Sequence, residues 1–178
     1  MGERLKILVV DDEVELCQVL QKLFSQSNKY DVFTAESAEH ALELLGKDTF
    51  ALVLCDYKLG GEKTGLDVLF QAREKDPNVI TILMTGFGTD QLGIRAVAEG
   101  VYDYITKPFK SMLDVKNVVE RGLHFYSLLL KYNEKVADDE LQKELLKETL
   151  EKARRTREIL RMLVNKMSGS ENLPEEES

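Results

Sequence analysis

Acidic, hydroxyl and ammonium side chains follow four of the five apolar runs in this sequence. Asp11 and Asp12 come after the first run, Asp56 after the third, Thr85 after the fourth and Lys107 after the fifth. Three carboxylates that lie together repel one another unless a hard divalent cation such as Mg²⁺ neutralises them. An ammonium group can pair with a carboxylate or with a phosphoryl oxygen, to which a hydroxyl can also donate. Together these groups are the parts of a phosphoryl-transfer site with an acceptor carboxylate.

The five apolar runs have the composition of buried strands in a parallel sheet. The first, third and fourth runs are nearly continuous in Val, Ile, Leu and Met, as in strands that are covered on both faces. The segments between the runs have helical spacing, so the alternation predicts right-handed crossovers and a doubly wound α/β sheet. The crevice beyond the carboxyl ends of these strands would bring the chemical side chains together. The predicted strands are Ile7–Val10, Tyr30–Thr34, Ala51–Leu54, Val79–Met84 and Tyr102–Ile105, and the predicted helices are Val14–Ser25, Ser37–Leu45, Gly65–Lys75 and Thr89–Glu99.

Residues at the ends of two predicted helices have the side chains expected there. Ser37 and Thr89 are placed as N-caps, whose side-chain oxygens can accept a hydrogen bond from the first helical turn. Gly46 and Gly100 stand where a helix should end, because glycine readily adopts the left-handed conformation that follows a last turn. We therefore expect these two helices to end at the glycines.

The last third of the sequence predicts helix without any further strand. Apolar residues recur at heptad spacing from Val115 to Met167, with a few polar interruptions. So long a helix requires a cover for its apolar stripe, which favours a coiled coil that forms a homodimer, or a short helical hairpin. The expected division is a domain at residues 1–126, a helical extension at 127–168 that continues the last helix of the domain, and a disordered acidic tail at 169–178.

Composition excludes several classes of protein. The net charge is −8, so we expect no direct binding to the negatively charged backbone of nucleic acids. The basic run from Lys152 to Arg157 is not followed by a helix-turn-helix pattern. The sequence has no run of about 18 apolar residues and no signal-peptide pattern, so we expect a cytoplasmic protein with no membrane segment. Cys17 and Cys55 lie in apolar surroundings, which is typical of reduced core cysteines.

Four segments resemble the signature segments of response regulator receiver domains of two-component signal transduction. They are ILVVDDE, ALVLCDYKLGGEKTGLDVL, ITILMTGFG and AVAEGVYDYITKPF, in the order and spacing of that family, and the resemblance covers roughly residues 4–125. It implies a flavodoxin-like fold with strand order 2-1-3-4-5. It also implies a phosphoprotein of phosphorelay signalling that is not an enzyme, beyond self-catalysed phosphotransfer and dephosphorylation.

The resemblance implies a role for each matching residue. Asp56 corresponds to the phospho-acceptor, and Lys107, whose peptide bond with Pro108 would be cis, corresponds to the lysine beside it. Thr85 and Tyr104 correspond to the hydroxyl and the aromatic ring of the conformational switch. Mg²⁺ would be held by Asp11, Asp12, Asp56 and the backbone carbonyl of Lys58, with Asp12 the more direct ligand. The phosphoryl donor would be a sensor histidine kinase or a phosphotransfer protein, and the helical extension would pass the signal to a homodimer or to a downstream output protein.

The loop of residues 58–64 departs from the family pattern. It lacks the common proline and contains Gly60 and Gly61 instead. Lys58 and Phe87 would border the path by which water attacks an aspartyl phosphate, and neither side chain can accept a hydrogen bond from that water. We therefore expect self-dephosphorylation to be slow.

Two other functions are compatible with part of the pattern. A haloacid-dehalogenase-type phosphatase also has an Asp after an apolar strand and a later Thr and Lys, and its phosphate would form on Asp11. Its Asp-x-Asp spacing is missing from Asp11-Asp12-Glu13. A phosphorelay module in the helical tail would use His124, which lacks the acidic neighbour and the following proline of kinase histidine boxes.

Overall fold

The computed structural model describes residues 4–86, 90–135 and 140–169. Five parallel strands form one sheet in the order β2-β1-β3-β4-β5, which confirms the doubly wound sheet and its 2-1-3-4-5 order. The strands are β1 (Leu5–Val10), β2 (Tyr30–Ala35), β3 (Leu52–Asp56), β4 (Ile80–Thr85) and β5 (Asp103–Thr106). The helices are α1 (Val14–Ser25), α2 (Ala38–Lys47), α3 (Gly65–Lys75), α4 (Asp90–Glu99), α5 (Met112–Lys135) and α6 (Glu140–Gly169).

Helices cover both faces of the sheet, as the unbroken apolar strands require. Helices α2, α3 and α4 pack on one face, against alternate strand residues such as Leu8, Val53 and Leu83. Helices α1 and α5 pack on the other face, against the intervening residues such as Val9 and Leu54. Successive side chains of a strand point to opposite faces, so a strand between two helical layers must be apolar at nearly every position.

The predicted helix ends are correct in two cases and wrong in one. The Ser37 side chain accepts a hydrogen bond from the His40 amide at 3.1 Å, which confirms the N-cap of α2. Gly100 follows the end of α4 with a φ of 111°, as expected for a left-handed C-terminal glycine. Gly46 does not end α2, because the helix continues to Lys47. Its last turn is closed instead by the Asp48 amide, which donates to the Leu44 carbonyl. Thr89 lies outside the described residues.

The C-terminal extension consists of the second half of α5 and the separate helix α6. Residues Phe125, Leu128 and Tyr132 of α5 and Leu146 of α6 line one apolar groove of about 280 Å³ between the two helices. Helix α6 also packs against α4. The expected domain boundary at residue 126 falls inside α5, and residues 170–178 of the expected tail lie outside the described residues. None of the helices in the described ranges has an apolar stretch long enough to cross a membrane.

Candidate functional site

The carboxyl ends of β1, β3, β4 and β5 place the chemical side chains at one edge of the sheet. Val10 is paired with Cys55, so the residues that follow them, Asp11 and Asp56, lie side by side at the ends of β1 and β3. Thr85 is the last residue of β4 and is paired with Thr106, which immediately precedes the lysine at position 107. The parallel register therefore brings together residues that are far apart in the sequence.

The Lys107 ammonium group is the centre of this cluster. Its Nζ atom lies 2.7 Å from Asp11 Oδ2 and 2.8 Å from Asp56 Oδ1. Glu13 Oε1 lies 3.6 Å from the same nitrogen. The Lys107–Pro108 peptide bond is cis, as the resemblance implies. One cation thus bridges two carboxylates that would otherwise repel each other.

Burial and charge oppose each other at these groups. The Asp11 side chain is fully buried, and burial raises the pKa of its carboxyl group above the ordinary value, against the opposing effect of the hydrogen bond from Lys107. Burial alone would lower the pKa of Lys107, but its hydrogen bonds to Asp11 and Asp56 raise that pKa above the ordinary value. Asp56 keeps 10% of its side-chain surface exposed, so it is the carboxylate of the bridged pair that a donor can reach.

The Thr85 hydroxyl is buried beside the cluster without a hydrogen bond. Thr85 is fully buried, and none of the residues that the structure describes offers its Oγ1 atom a partner. Its backbone carbonyl accepts a hydrogen bond from the Lys107 amide at 2.6 Å, which ties β4 to the lysine. A buried hydroxyl that lacks a hydrogen bond costs about 1–3 kcal/mol of free energy, and this hydroxyl can donate to a group bound at this edge.

Asp12 and Lys58 lie at the entrance of the cluster. Asp12 is exposed, and its Oδ2 atom lies near Gly60 of the loop after β3. A Cβ atom at position 60 would lie 3.5 Å from this Oδ2 atom. Gly60 has a φ of 68°, so this turn uses the left-handed conformation that glycine favours. The Lys58 amide donates to Asp56 Oδ2 at 2.8 Å, which fixes the orientation of that carboxylate.

The donor set at this edge suits Mg²⁺. No three acidic, histidine or cysteine side chains of the described residues surround one common point as ligands would. Mg²⁺ does not require such a cage, because one or two carboxylates, with waters and phosphate oxygens, complete its octahedron. The carboxylates of Asp12 and Asp56 and the backbone carbonyl of Lys58 are hard oxygen donors of the required kind. The desolvated Asp11 adds negative charge that a cation would offset.

Tyr104, the aromatic residue expected to take part in a conformational switch, lies against α4. Its half-buried ring packs so closely on Gly93 that a Cβ at position 93 would overlap the ring atoms. Thr85 is the last residue of β4, and Tyr104 lies in the neighbouring strand β5. Both strands face the side of α4 that packs on the sheet. Phe87, the second residue expected to border the phosphate, lies outside the described residues.

Two contributions to the site were not expected from the sequence. Glu13 contacts Lys107 over 3.6 Å, and its place directly after the acidic pair is the only signal that could have indicated this. Gly65 packs directly on the backbone of Asp56. A single sequence offers no signal for that contact, because a glycine at the start of a helix has many explanations.

His124 lies far from this cluster. It is exposed and lines a shallow pocket with Leu5, Tyr30 and Glu120. Leu5 is the first residue of β1, so His124 stands at the opposite end of the sheet from Asp56. The structure therefore does not bring the phosphorelay candidate near the carboxylates.

Comparisons with known proteins agree with this geometry. The chain matches the response regulator receiver domain over residues 7–119. It is 33% identical over 130 residues to the transcriptional regulatory protein ZraR of Escherichia coli (strain K12), a match that covers 71% of the chain and 28% of ZraR. It is 36% identical over 107 residues to the regulatory protein VanR of Enterococcus faecium, covering 60% of the chain and 45% of VanR. The chain thus spans less than half the length of these relatives.

Solved structures give the same result. The receiver domain of NtrX from Brucella abortus is 31% identical with a TM-score of 0.61, and the match covers 66% of the chain and 98% of that domain. A structure described as an adenylate cyclase from Rhodopirellula baltica is 29% identical with a TM-score of 0.70, covering 77% of the chain and all of that structure. The matched range includes Asp11, Asp12, Asp56, Thr85 and Lys107 of the cluster. The chain therefore belongs to the response regulator receiver domain family of two-component systems.

Proposed function

We propose that Asp56 accepts a phosphoryl group in a Mg²⁺-dependent reaction, and that the resulting aspartyl phosphate is the signalling state. The observation that carries this proposal is the Lys107 ammonium bridge between the fully buried Asp11 and the partly accessible Asp56. Such a bridge holds the acceptor carboxylate in place and supplies a positive charge where the transferred group will sit. The buried Thr85 hydroxyl, which has no hydrogen-bond partner among the described residues, supports the same position for that group.

The transfer conserves atoms and charge without a further reactant. A carboxylate oxygen of Asp56 attacks the phosphorus atom, and an oxygen–phosphorus bond forms. The bond from phosphorus to the donor's leaving atom, a ring nitrogen in a phosphohistidine, breaks with its electron pair remaining on the donor. Lys107 then contacts a phosphoryl oxygen as well as Asp11, and Thr85 donates a hydrogen bond to another phosphoryl oxygen. Bound Mg²⁺ would neutralise charge on the phosphoryl oxygens from the side of Asp12, Asp56 and the Lys58 carbonyl.

The partners follow from this chemistry. A high-energy phosphohistidine on a sensor histidine kinase or on a phosphotransfer protein is the donor that we propose. The chain itself acts as a self-catalysing acceptor and not as an enzyme with turnover. The C-terminal helices then couple the phosphorylated state to a homodimer or to a downstream output protein. We retain the expectation that these helices do not bind nucleic acid directly, although relatives such as ZraR are transcriptional regulators.

Intact-mass spectrometry tests the acceptor assignment. Wild type, Asp56→Asn and the matched control Asp31→Asn are incubated with a small phosphodonor and Mg²⁺. Asp31 is exposed at the far end of β2, in contact with Arg4, so its loss should not affect the site. We expect one added phosphoryl group on wild type and Asp31→Asn, none on Asp56→Asn, and strongly reduced labelling when a chelator removes Mg²⁺. Undiminished labelling of Asp56→Asn would refute the assignment.

A further inference from the structure

Helix α4 is covered on two sides by parts of the same chain. On its inner side it packs against β4 and β5, and Ala96 belongs to the core beneath it. Ala98 is only 5% exposed, and Ile94 and Val97 are half-buried, yet none of these three belongs to either core cluster. Helix α6 packs against α4, which accounts for the shielding of this outer side. We call Ile94, Val97 and Ala98 the outer face of α4.

Partly buried residues of α6 indicate the side that faces the receiver. Leu160 and Val164 are half-buried one turn apart, whereas Ile159, Met162 and Leu163 are exposed. The exposed fractions of Ile159 and Met162 are 55% and 62%. In this part of α6, the shielded side chains thus form a narrow stripe, and the apolar side chains beside it remain exposed. A contact made through so narrow a stripe can respond to a modest change in α4.

Two arginines lie within electrostatic range of each other at the end of this contact. Arg73 of α3 packs against Gly100 and donates a hydrogen bond to the Glu99 carbonyl at 3.4 Å, at the C-terminal end of α4. Burial lowers the pKa of Arg73, and the positive charge of Arg157 lowers it further, so the two guanidinium groups repel each other. This repulsion weakens the docking of α6 at the point where it passes the end of α4.

The inner side of α4 contacts the switch. The Tyr104 ring packs directly on Gly93, and Thr85 stands at the end of the neighbouring strand β4 with a buried hydroxyl. Any movement of Tyr104 changes the support under α4, because a glycine has no side chain to keep the helix in place. The same short helix thus has the switch on one side and α6 on the other.

We propose that α6 is an internal ligand of the outer face of α4, and that phosphorylation of Asp56 releases it. This inference rests on the proposed function of Asp56. When Thr85 moves to bind the phosphoryl group, it vacates space into which Tyr104 turns, and Gly93 loses its contact with the ring. Helix α4 then shifts, and the weakly held α6 dissociates. The outer face of α4 is then available to another helix that carries an apolar stripe like that of α6.

Hydrogen exchange measured by mass spectrometry on the full chain tests this release. Peptides from α6 and α4 are followed in the wild type and in Asp56→Asn, each with and without acetyl phosphate and Mg²⁺, and the intact mass of the same samples gives the extent of phosphorylation. Most of the stability of a helix comes from packing, so release should speed exchange in α6. We expect about a tenfold increase in the phosphorylated wild type, a usual size for coupling between two sites, and no change in Asp56→Asn.

The readouts separate the two ideas. Phosphorylated wild type whose α6 exchanges as slowly as before would overturn the release while the acceptor role of Asp56 stands. Absence of any added mass on the wild type would overturn both. Faster α6 exchange in Asp56→Asn with the phosphodonor would also overturn the release, because the effect would then not require the phosphate.

Two further variants test the contact without phosphate. Arg157→Glu replaces the repulsion from Arg73 by attraction, so α6 should exchange more slowly. Arg155→Glu makes the same charge change two residues away, on the other side of the helix, and should leave exchange unchanged. Gly93→Ala forces the Tyr104 ring away and should speed exchange in α6 in the unphosphorylated protein. Equal exchange in Arg157→Glu, Arg155→Glu and wild type would refute the docked position of α6, whether or not Gly93→Ala folds.

Discussion

Gly65, the first residue of α3, lies so close to Asp56 that any side chain at position 65 would overlap the backbone carbonyl of Asp56. The Gly65 amide also donates to the Tyr57 carbonyl at 2.9 Å. The start of α3 is thereby held against the end of β3. The position of the Asp56 carboxylate consequently depends on a glycine nine residues further along the chain.

Gly65→Ala should therefore reduce both stability and labelling. The overlap is with backbone, which cannot rotate away, so we expect a loss near the upper end of overpacking costs, about 3 kcal/mol. Urea denaturation measures the stability, and intact mass after phosphodonor treatment measures the labelling. Gly61→Ala is the matched control in the same loop, since its nearest contact would be the Leu59 carbonyl at 4.0 Å. Equal losses in the two variants would contradict the close-contact explanation.

Two helical glycines should respond to alanine in opposite directions. A Cβ at Gly122 of α5 would lie 2.8 Å from Ile80 Cγ2 and 3.3 Å from Leu52 Cδ1, because the helix approaches the sheet closely there. Overpacking of about 2 kcal/mol should outweigh a helix-propensity gain of about 1 kcal/mol, for a net loss of about 1 kcal/mol. Gly46 has no atom within 4 Å of a built Cβ, so Gly46→Ala should stabilise by up to about 1 kcal/mol. Chemical denaturation of both variants checks the sign, and a stabilised Gly122→Ala would contradict the close packing of α5.

Alkaline pH should destabilise the fold through the half-buried Tyr126. Burial raises the pKa of Tyr126, and the Asp76 carboxylate raises it further. In the unfolded chain tyrosine loses its proton near its ordinary pKa of about 10, before the folded form does. The unfolded state is therefore favoured as pH rises through that value, and the stability from this group is lost as pH reaches the folded pKa. Tyr126→Phe should show a shallower fall of unfolding free energy between about pH 9 and 11 than the wild type. An identical fall of the unfolding free energy in Tyr126→Phe and wild type would show that Tyr126 does not cause the loss of stability.

The buried thiols should be unreactive in the folded protein. Both cysteines are free and buried, as their apolar neighbours indicated. Burial raises the pKa of Cys17 to about 11, and the Asp11 carboxylate contributes to the increase. Because the thiolate is the reactive form, alkylation near neutral pH should be slow in the native state and rapid in denaturant. Fast native labelling of Cys17, followed by mass spectrometry, would contradict the packing of α1 on the sheet.

The sequence was sufficient for the sheet and for the cluster, and insufficient for the contacts of glycine and of α6. Unbroken apolar runs can be recognised in the sequence without knowledge of the fold. The same is true of chemically distinctive residues such as Asp56 and Lys107. The prediction that α2 ends at Gly46 was wrong because a glycine near the end of a helix need not terminate the helix. Here the last turn of α2 continues past Gly46 and is closed by the Asp48 amide. Gly65 contacts the Asp56 backbone and Gly93 contacts the Tyr104 ring, and only the packed fold determines which groups meet there. The heptad stripe allowed a coiled coil or a hairpin, and the choice depends on the tertiary contact with α4.

The lifetime of the phosphate should depend on Lys58. Its amide holds Asp56 Oδ2, and its side chain is exposed at the entrance of the cluster. A lysine cannot accept a hydrogen bond from attacking water, whereas Lys58→Asn introduces an acceptor, so phosphate should be lost several-fold faster. Lys63→Asn, an exposed lysine of the same loop, is the matched control. Release of inorganic phosphate from purified phosphoprotein in Mg²⁺ gives the rates, and equal rates for Lys58→Asn and wild type would show that this position does not set the lifetime.

The site of the acyl phosphate is the central claim, and its chemical localisation tests it most directly. Borohydride reduces an aspartyl phosphate to homoserine, which marks the position in a peptide sequence. Wild-type protein treated with a phosphodonor and Mg²⁺ is reduced, digested and sequenced by tandem mass spectrometry. The account predicts homoserine at position 56, with aspartate retained at positions 11 and 12. Homoserine at position 11, as a phosphatase of the dehalogenase type would give, or a phosphate found on His124, would contradict it.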